Sequence, residues 1–319
     1  MAQTQLTRLD RTEGLRFSGH ETFACRYAWL PKAYRALKGN PAVFSDEDEA
    51  MVELGLGKNM VKSLRFWIEA TGIAQPAKGR GFMLTDFSHA ILGIDGFDPY
   101  LEDIRTLWLL HWQLASRLTG ALFAWRYLLN HWPFPEFTRS EALSAFVTES
   151  AKLGHSHSIV TLSQHLDVFL HTYHSSRSAS VGIEDSLDGP LVDLALIQPI
   201  GERRVDGGKW ETVYAFRREP KSEITSALFE FCVADFWARF RKGEETLTLQ
   251  EIAVGICSPG QIFKLPEDDI RARLEAYTIK QPERPFTYTP SAVQGLLSRR
   301  KGNQISSLSE VYNQRLSDA

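Results

Sequence analysis

The sequence contains few cysteines, and they are not arranged for chemistry. Cys25, Cys232 and Cys257 are the three cysteines among 319 residues, and long stretches of chain separate them. Because they are odd in number and no CxxC pair occurs, a disulfide framework or a thiolate zinc site is not expected. We therefore predict three reduced, mostly buried thiols.

The chain also lacks a long uninterrupted apolar run. The most apolar stretch, 107–129, contains His111, Gln113, Arg117 and Arg126, whereas a membrane span needs about 20 nearly uncharged residues. The segment 1–17 carries several charges and no apolar core, so it does not have the pattern of a signal peptide. We expect a cytoplasmic protein with no membrane partner.

A net positive charge is missing as well. The 36 Lys and Arg residues are outnumbered by 39 Asp and Glu residues, which gives a formal net charge of −3 and excludes a uniformly basic nucleic-acid binder. The composition is nevertheless that of a folded chain, because 43% of it is hydrophobic. At about 150 residues per domain, the length predicts two or three domains. Any nucleic-acid contact must depend on positive charge that is concentrated locally.

Residues 20–92 show the pattern of one compact unit. Apolar residues at steps of three and four predict a first helix over 25–37. Ser45, followed by four acidic residues, predicts the N-cap of a second helix. A third helix is predicted over 58–70, after a tight turn that contains two glycines.

A basic turn and a short strand follow this third helix. The turn is predicted at 75–81 and the strand at 82–85. Helix, helix, tight turn, helix and basic hairpin is the order of a winged helix-turn-helix domain. We assign this domain to residues 15–95.

The third predicted helix has one apolar and one basic side. At about 100° per residue, Lys58, Lys62 and Arg65 form a stripe that lies roughly opposite the apolar side chains. The segment 57–81 contains five basic residues and one acidic residue, a local charge of +4. Such a surface suits DNA phosphates, although an ordinary solvated helix face is the alternative. The predicted DNA-binding residues are Lys58, Asn59, Lys62, Ser63, Arg65, Lys78 and Arg80.

Residues 96–180 are predicted to be a helical domain. The stretch 98–131 is rich in leucine and aromatic residues, which at helical spacing indicates core. Thr138 with Glu141 predicts a capped helix start, and a further helix is predicted over 159–173. The order resembles that of the first unit without its basic excess, so a second helix-turn-helix used for protein contacts is one interpretation.

Residues 181–319 are predicted to be a mixed α/β domain. The stretch 175–185 has the composition of a linker. An apolar run at 191–200 and an alternating pattern at 212–216, on either side of the Gly207-Gly208 turn, suggest a hairpin. Helices are predicted at 223–242, 249–257 and 267–277, a turn at 258–265 and a strand at 286–289. This segment is interpreted as a third winged-helix-like unit. The predicted fold class is therefore mainly α, with winged helix-turn-helix units and short β-hairpins.

Two stretches of the sequence resemble a known bacterial family. They are Phe17-Ser18-Gly19-His20-Glu21-Thr22-Phe23 with residues 26–30, and Leu56-Gly57-Lys58-Asn59-Met60-Val61-Lys62-Ser63-Leu64-Arg65-Phe66-Trp67. Shorter similarities at 167–173, 184–191 and 258–265 extend the resemblance over most of the chain. The chain resembles the family of unknown function found in DNA phosphorothioation gene clusters, which includes the DNA-nicking B component of Ssp-type systems. It departs from the family at Gly189, where a cysteine is expected, and this argues against a direct sulfur-carrier role.

The resemblance implies a role in replacing a non-bridging phosphate oxygen of DNA by sulfur. It implies double-stranded DNA as a partner, together with a cysteine desulfurase, an ATP-using sulfur-transfer enzyme and an ATPase. The protein would bind the DNA, and it would nick one strand or present the backbone to those enzymes.

Strand cleavage needs a nucleophile, a base and usually a divalent cation, here magnesium or manganese. No HNH or PD…(D/E)xK pattern occurs in the sequence. His20 and Glu21 are the nearest catalytic candidates, since a base lies beside a carboxylate ahead of the first helix. The alternative is that His20 caps this helix and Glu21 interacts with its dipole. Asp185 and Asp188 are candidate metal ligands that suit a turn equally well.

Two other functions fit the residues without the resemblance. One is a non-enzymatic winged-helix scaffold or transcriptional regulator that binds DNA. The other is a pure interaction protein, which the acidic balance and the aromatic middle region favour.

Overall fold

The computed structural model describes residues 9, 14–79, 81–154, 157–175, 189–280, 284–291, 293–300 and 307–314. About half of the chain is helical, and the strands form small antiparallel sheets. The prediction of helices combined with short antiparallel strands is confirmed, whereas the winged helix-turn-helix units stay a prediction.

The N-terminal part consists of helices followed by a two-stranded hairpin. Its elements are α1 (Trp29–Gly39), α2 (Glu47–Leu54), α3 (Lys58–Ala70), β1 (Ala74–Pro76), β2 (Phe82–Leu84) and α4 (Asp86–Leu92). In the hairpin, Ala74 pairs with Leu84 and Pro76 with Phe82. The tight turn between α2 and α3 begins at Gly55, whose φ of 58° lies in the left-handed region that favours glycine.

Two details of this part differ from the prediction. The first helix begins at Trp29 and not at residue 25, since residues 21–28 form turns and irregular chain. The N-cap of α2 is Asp46, whereas Ser45 was predicted. The Asp46 carboxylate accepts hydrogen bonds from the backbone N–H groups of Asp48 (2.9 Å) and Glu49 (3.0 Å). A charged acceptor also interacts favourably with the positive end of the helix dipole, which favours the cap one residue later.

The middle part encloses an aromatic core. Its elements are α5 (Ile104–Ala115), α6 (Phe123–Asn130), β3 (Glu136–Thr138), α7 (Arg139–Lys152), α8 (Ile159–Tyr173), a 3-10 helix (Pro190–Leu194), β4 (Ile197–Arg204) and β5 (Trp210–Phe216). Trp108, Trp112 and Trp125 are at most 1% exposed. The prediction that the aromatic residues at helical spacing in this region form core is confirmed for these three tryptophans.

The C-terminal part again mixes helices with a small sheet. Its elements are α9 (Ser226–Phe240), β6 (Thr246–Thr248), α10 (Leu249–Val254), α11 (Pro259–Phe263), α12 (Glu267–Lys280), β7 (Phe286–Thr289), β8 (Leu296–Arg299) and α13 (Leu308–Asn313). The predicted turn at 258–265 is wrong, because it contains α11. Ser258 accepts a hydrogen bond from the Gln261 N–H at 3.3 Å, and Pro259 suits the first position of a helix. All three cysteines are buried thiols, as predicted.

The middle and C-terminal sheets are built on the same plan. In each sheet the third strand lies between the first and the second, in the orders β3-β5-β4 and β6-β8-β7. In each, a helix also begins directly at the end of the first strand with a capping box. The boxes are Thr138 with Glu141, which was predicted, and Thr248 with Glu251, which was not. The structure therefore repeats one strand–helix–strand–strand arrangement.

The sheet β3-β5-β4 crosses the predicted boundary at residue 180. Phe137 of β3 pairs with Tyr214 of β5, 77 positions further along the chain. The composition of 175–185 resembles that of a linker, yet strands from both sides of this stretch pair in one sheet. Composition alone could not predict this pairing.

Candidate nucleic-acid interface

The outer side of α3 carries four of the predicted DNA-binding residues. The inner side packs into the core, where Leu64 and Trp67 are 0% exposed, and this amphipathic pattern is what fixes the rotation of the helix. The side chains that face solvent or lie at its edge are Lys58, Asn59, Lys62 and Arg65. The structure therefore places these four side chains on one accessible surface, which we call the α3 surface.

Ser63 does not belong to the α3 surface. It is 0% exposed, and its hydroxyl donates a hydrogen bond to the carbonyl oxygen of His20 at 2.9 Å. One residue further along a helix is a rotation of about 100°, which takes Ser63 from the edge of the basic stripe to the buried side. The sequence did not predict this burial, because Ser63 is small and polar and follows Lys62 directly.

The hairpin adds a second basic element beside α3. Lys78 is exposed in the turn between β1 and β2. The guanidinium of Arg65 lies 5.4 Å from the centre of the Phe82 ring in β2, a cation–π contact that ties the helix to the hairpin. Arg80, also predicted to bind DNA, lies outside the described residues.

A glutamate of α2 reaches across to the basic stripe. The carboxylate of Glu47 lies 3.0 Å from Nζ of Lys58 and 3.7 Å from Nζ of Lys62. The hydrogen bond with Glu47 raises the pKa of Lys58, and the same hydrogen bond lowers the pKa of Glu47. The sequence predicted Glu47 only as part of a helix start. The contact of Glu47 with α3 depends on the angle between α2 and α3, and the spacing of residues along the sequence does not predict that angle.

His20 lies in a buried chain of hydrogen bonds. The backbone N–H of Ala124 donates to Nε2 of His165 at 3.0 Å, so this nitrogen carries no proton. Nδ1 of His165 then donates to Nε2 of His20 at 2.8 Å, and Nδ1 of His20 donates to the Glu21 carbonyl oxygen at 2.8 Å. Burial lowers the pKa of His20 and places that of His165 well below its usual value. Both rings are therefore neutral, and their protons are fixed by the backbone groups at the two ends.

This chain bears directly on the predicted catalytic pair. His20 is 2% exposed and both of its ring nitrogens are engaged, whereas Glu21 is exposed and has a left-handed φ of 53°. The alternative that His20 caps the first helix is wrong, because α1 has Ala28 as its N-cap and no side-chain cap. Catalysis by His20 and Glu21 stays a prediction.

The segment around His20 connects the N-terminal and middle parts. Arg16 exchanges backbone hydrogen bonds with Ala121 (2.8 Å) and Phe123 (3.0 Å) at the start of α6. Further along, the indole N–H of Trp67 in α3 donates to the Phe23 carbonyl oxygen at 3.0 Å. The stretch that carries the first resemblance is thus held between α3 on one side and α6 and α8 on the other.

The same segment meets the stretch around residue 190. A side chain on Gly189 would place its Cβ 2.5 Å from the carbonyl oxygen of Cys25, so this position has no room for the cysteine expected there. Four residues on, the carboxylate of Asp193 accepts a hydrogen bond from the hydroxyl of Tyr27. Sequence reasoning missed this pair, because 166 positions separate its members.

Metal ligands and membrane spans can be assessed only for the described part of the chain. There, no three His, Cys, Asp or Glu side chains form a group that could hold a metal ion. Asp185 and Asp188, the candidate ligands from the sequence, lie outside it. No helix within the same residues combines the length and apolar character needed to cross a bilayer.

The protein therefore combines helices with small antiparallel sheets, and its helix α3 presents a basic surface. The chain belongs to the DUF4007 family, described as proteins of unknown function, whose model matches residues 17–313. No curated protein matches the chain.

Two solved structures are similar to it. A magnesium ion-bound SspB crystal structure is 27% identical with a TM-score of 0.78, over 91% of this chain and 85% of that one. An SspB crystal structure that is 24% identical has the same TM-score of 0.78, over 97% of this chain and 94% of that one, and shows the shared fold. The resemblance inferred from the sequence is confirmed.

Proposed function

We propose that this protein is the DNA-binding component of a bacterial DNA phosphorothioation system, and that it nicks one strand or presents the backbone for sulfur insertion. The similarity to SspB over most of the chain supports membership of such a system. The observation that carries DNA binding is the α3 surface, where Lys58, Lys62 and Arg65 lie on the side of the helix opposite the core.

The N-terminal part supports a winged helix-turn-helix domain over residues 15–95. The α2–α3 turn would present α3 to the major groove, and the β1–β2 hairpin with Lys78 would be the wing. Lys58 and Arg65 are seven residues apart, about 10 Å along the helix axis. Cationic groups spread over this length can contact more than one phosphate of the backbone.

The helices that precede the hairpins of the other two sheets, α8 and α12, differ from α3 in the side chains that the structure describes. Ile159 and Val160, at the start of α8, are 61% and 60% exposed, and the first turn of α12 is acidic. We assign protein contacts to these two parts, with the desulfurase, the sulfur-transfer enzyme and the ATPase as partners. The second unit would extend to the end of β5, and the third would follow it.

Sulfur chemistry belongs to the partner enzymes in this proposal. A cysteine that carries sulfur needs an accessible thiol with a low pKa, whereas burial raises the pKa of Cys25 and Cys232 here. Position 189, where the family pattern leads one to expect a cysteine, is a glycine and so has no thiol. The contribution of this protein would be to bind DNA and to open it, with magnesium or manganese stabilising the charge on the attacked phosphate.

Two assays test the proposal. Fluorescence anisotropy with a labelled DNA duplex, measured from 50 to 200 mM salt, should show binding that weakens steeply as salt rises. Supercoiled plasmid incubated with magnesium or manganese should yield the open-circular form. Absence of binding at low salt would refute the proposal.

The same assays distinguish the proposed nicking function from the alternative, a DNA-binding protein without enzymatic activity. A non-enzymatic scaffold or regulator would bind the duplex and leave the plasmid supercoiled with every cation. The α3 surface supports both functions equally, so the plasmid assay decides between them.

A further inference from the structure

Tyr27 and Asp193 form a hydrogen-bonded pair that is not part of the α3 surface. The Tyr27 hydroxyl donates a hydrogen bond to the Asp193 carboxylate. Tyr27 is half-buried, and Asp193 is exposed on the 3-10 helix Pro190–Leu194. A phenol beside an accessible carboxylate has the arrangement of a nucleophile and its general base.

Other tyrosines lie in different surroundings. Tyr34 and Tyr173 are 3% and 1% exposed, and their hydroxyls contact histidine rings at 3.0 Å and 2.7 Å. Burial raises the pKa of Tyr173. Neither hydroxyl is accessible to a DNA strand, whereas the Tyr27–Asp193 pair is at the surface.

Tyr27 lies just before α1, which contacts the end of α2. Tyr27 precedes α1 by two residues, and one turn into α1 the Lys32 ammonium donates to the carbonyl oxygen of Leu54 at 2.9 Å. Leu54 ends α2, and Lys58 begins α3 four residues later. The start of α1 is therefore tied to the last residue of α2, four positions before Lys58, the first lysine of the α3 surface.

We propose that Tyr27 is the nucleophile that opens the DNA strand and that Asp193 is its base. This inference rests on the proposed nicking function and names the residues that perform it. The Tyr27 oxygen attacks the phosphorus of a phosphodiester, and Asp193 takes the phenolic proton. A P–O bond to tyrosine forms and one P–O bond to sugar breaks. The sugar oxygen leaves on the opposite side of the phosphorus and takes a proton from water, while Asp193 returns its proton to water, so the transesterification needs no further reactant.

Such a nick keeps the energy of the broken bond in the phosphotyrosyl linkage. The free sugar hydroxyl can attack the same phosphorus and restore the strand with release of the tyrosine. A reversible opening suits a step in which the backbone is exposed for modification and then closed.

The test is to trap the covalent product. Uniformly radiolabelled supercoiled plasmid is incubated with the full-length protein and a divalent cation, stopped with SDS and digested with nuclease. Label should stay on the wild-type protein, and mass spectrometry should find a nucleotide on the peptide that contains Tyr27. Tyr27→Phe should lose label and nicking but keep duplex affinity within about twofold, since a phenol oxygen contributes little to phosphate binding. Tyr100→Phe, at a tyrosine that is 69% exposed, is the matched control and should label normally.

Asp193→Asn distinguishes a base from a structural contact. Loss of a general base slows a reaction by about 10²- to 10⁴-fold. Because phenols ionise unaided only near pH ~10, nicking by this variant should recover as pH rises, more steeply than that of the wild type. A purely structural role for Asp193 would produce no such recovery.

The outcomes separate this inference from the proposed function. If Tyr27→Phe nicks at the wild-type rate, or the wild type nicks without retaining label, the tyrosine mechanism is wrong and the nicking function stands. If the wild type binds DNA but never nicks, both the mechanism and the nicking role are wrong, and DNA binding stands.

Discussion

The carboxylate of Glu47 lies 3.0 Å from Nζ of Lys58, and in the proposed DNA complex a phosphate oxygen would compete for this ammonium group. The same carboxylate lies 3.7 Å from Nζ of Lys62. DNA that binds here must therefore replace an acidic side chain of α2 at these two lysines. In the proposed interface, the acidic residues around the basic stripe would therefore take part directly.

Reversing the charge of Lys58 and Lys62 together should weaken duplex binding on the order of 50-fold near 0.1 M salt, and the salt slope should fall by about two. The reason is that two phosphate contacts and the counterions they release are lost. Anisotropy titrations of Lys58→Glu with Lys62→Glu at several salt concentrations measure both quantities.

The matched control for this variant is Lys152→Glu. Lys152 is 55% exposed and pairs with Glu149 at 2.6 Å, much as the 59% exposed Lys58 pairs with Glu47, but it lies on α7. Equal losses in the two variants would mean that general charge, and not the α3 surface, determines affinity.

Glu47→Gln should strengthen duplex binding by about two- to fivefold, the range expected when one exposed ion pair no longer competes. The substitution keeps the size of the side chain and removes the charge that holds Lys58 and Lys62. Glu149→Gln, which removes the charge that pairs with Lys152 on α7, should leave affinity unchanged. Weaker binding by Glu47→Gln would show that Glu47 orients the lysines for DNA.

Local patterns were sufficient to predict much of the secondary structure. The helix predicted over 159–173 is observed as Ile159–Tyr173, because Ser158 caps it and its apolar residues are strongly periodic. The capping box of Thr138 and Glu141 is also a short-range pattern, and it was predicted for the same reason. The outward side of α3 followed from helical periodicity alone.

Long-range contacts could not be predicted in this way. His20 meets His165 across 145 positions, and Tyr27 meets Asp193 across 166. Neither pair leaves a trace in local spacing, because each depends on how the segment 16–28 is packed between two parts of the fold. The burial of Ser63 follows from the same packing, since its partner is the carbonyl oxygen of His20.

Stability should fall as pH drops from about 6.5 towards 4, and His111 should account for part of the loss. Burial lowers the pKa of His111 from 6.5 to about 4, although the hydrogen bond with the Ile262 carbonyl oxygen at 2.9 Å acts in the opposite direction. The other ring nitrogen of His111 contacts the Tyr173 hydroxyl at 2.7 Å. The unfolded chain binds a proton in this window and the folded chain does not, so this stability is fully present above pH ~6.5. A shift of this size corresponds to about 3 kcal/mol.

Urea unfolding of the wild type and His111→Gln between pH 7.5 and 4 measures this contribution. Glutamine can accept from Tyr173 and donate to Ile262 without titrating. The variant should be less stable at pH 7.5 and should lose less stability on acidification. Parallel pH profiles would mean that His111 does not contribute. His20 and His165, whose pKa values burial also lowers, act in the same direction and remain in both proteins.

Restoring a side chain at position 189 should destabilise the fold. Gly189 has φ −71° and ψ 154°, which any residue can adopt, so the cost comes from the Cβ that would lie 2.5 Å from the Cys25 carbonyl oxygen. The backbone must shift, and overpacking of this kind costs about 1–3 kcal/mol. Gly189→Ala and Gly189→Cys should therefore lower the unfolding midpoint by similar amounts. Gly39→Ala is the control, because nothing lies within 4 Å of its new Cβ. If Gly189→Cys instead leaves the midpoint unchanged, the segment around Cys25 can yield, and the position can accept the thiol that the family pattern leads one to expect.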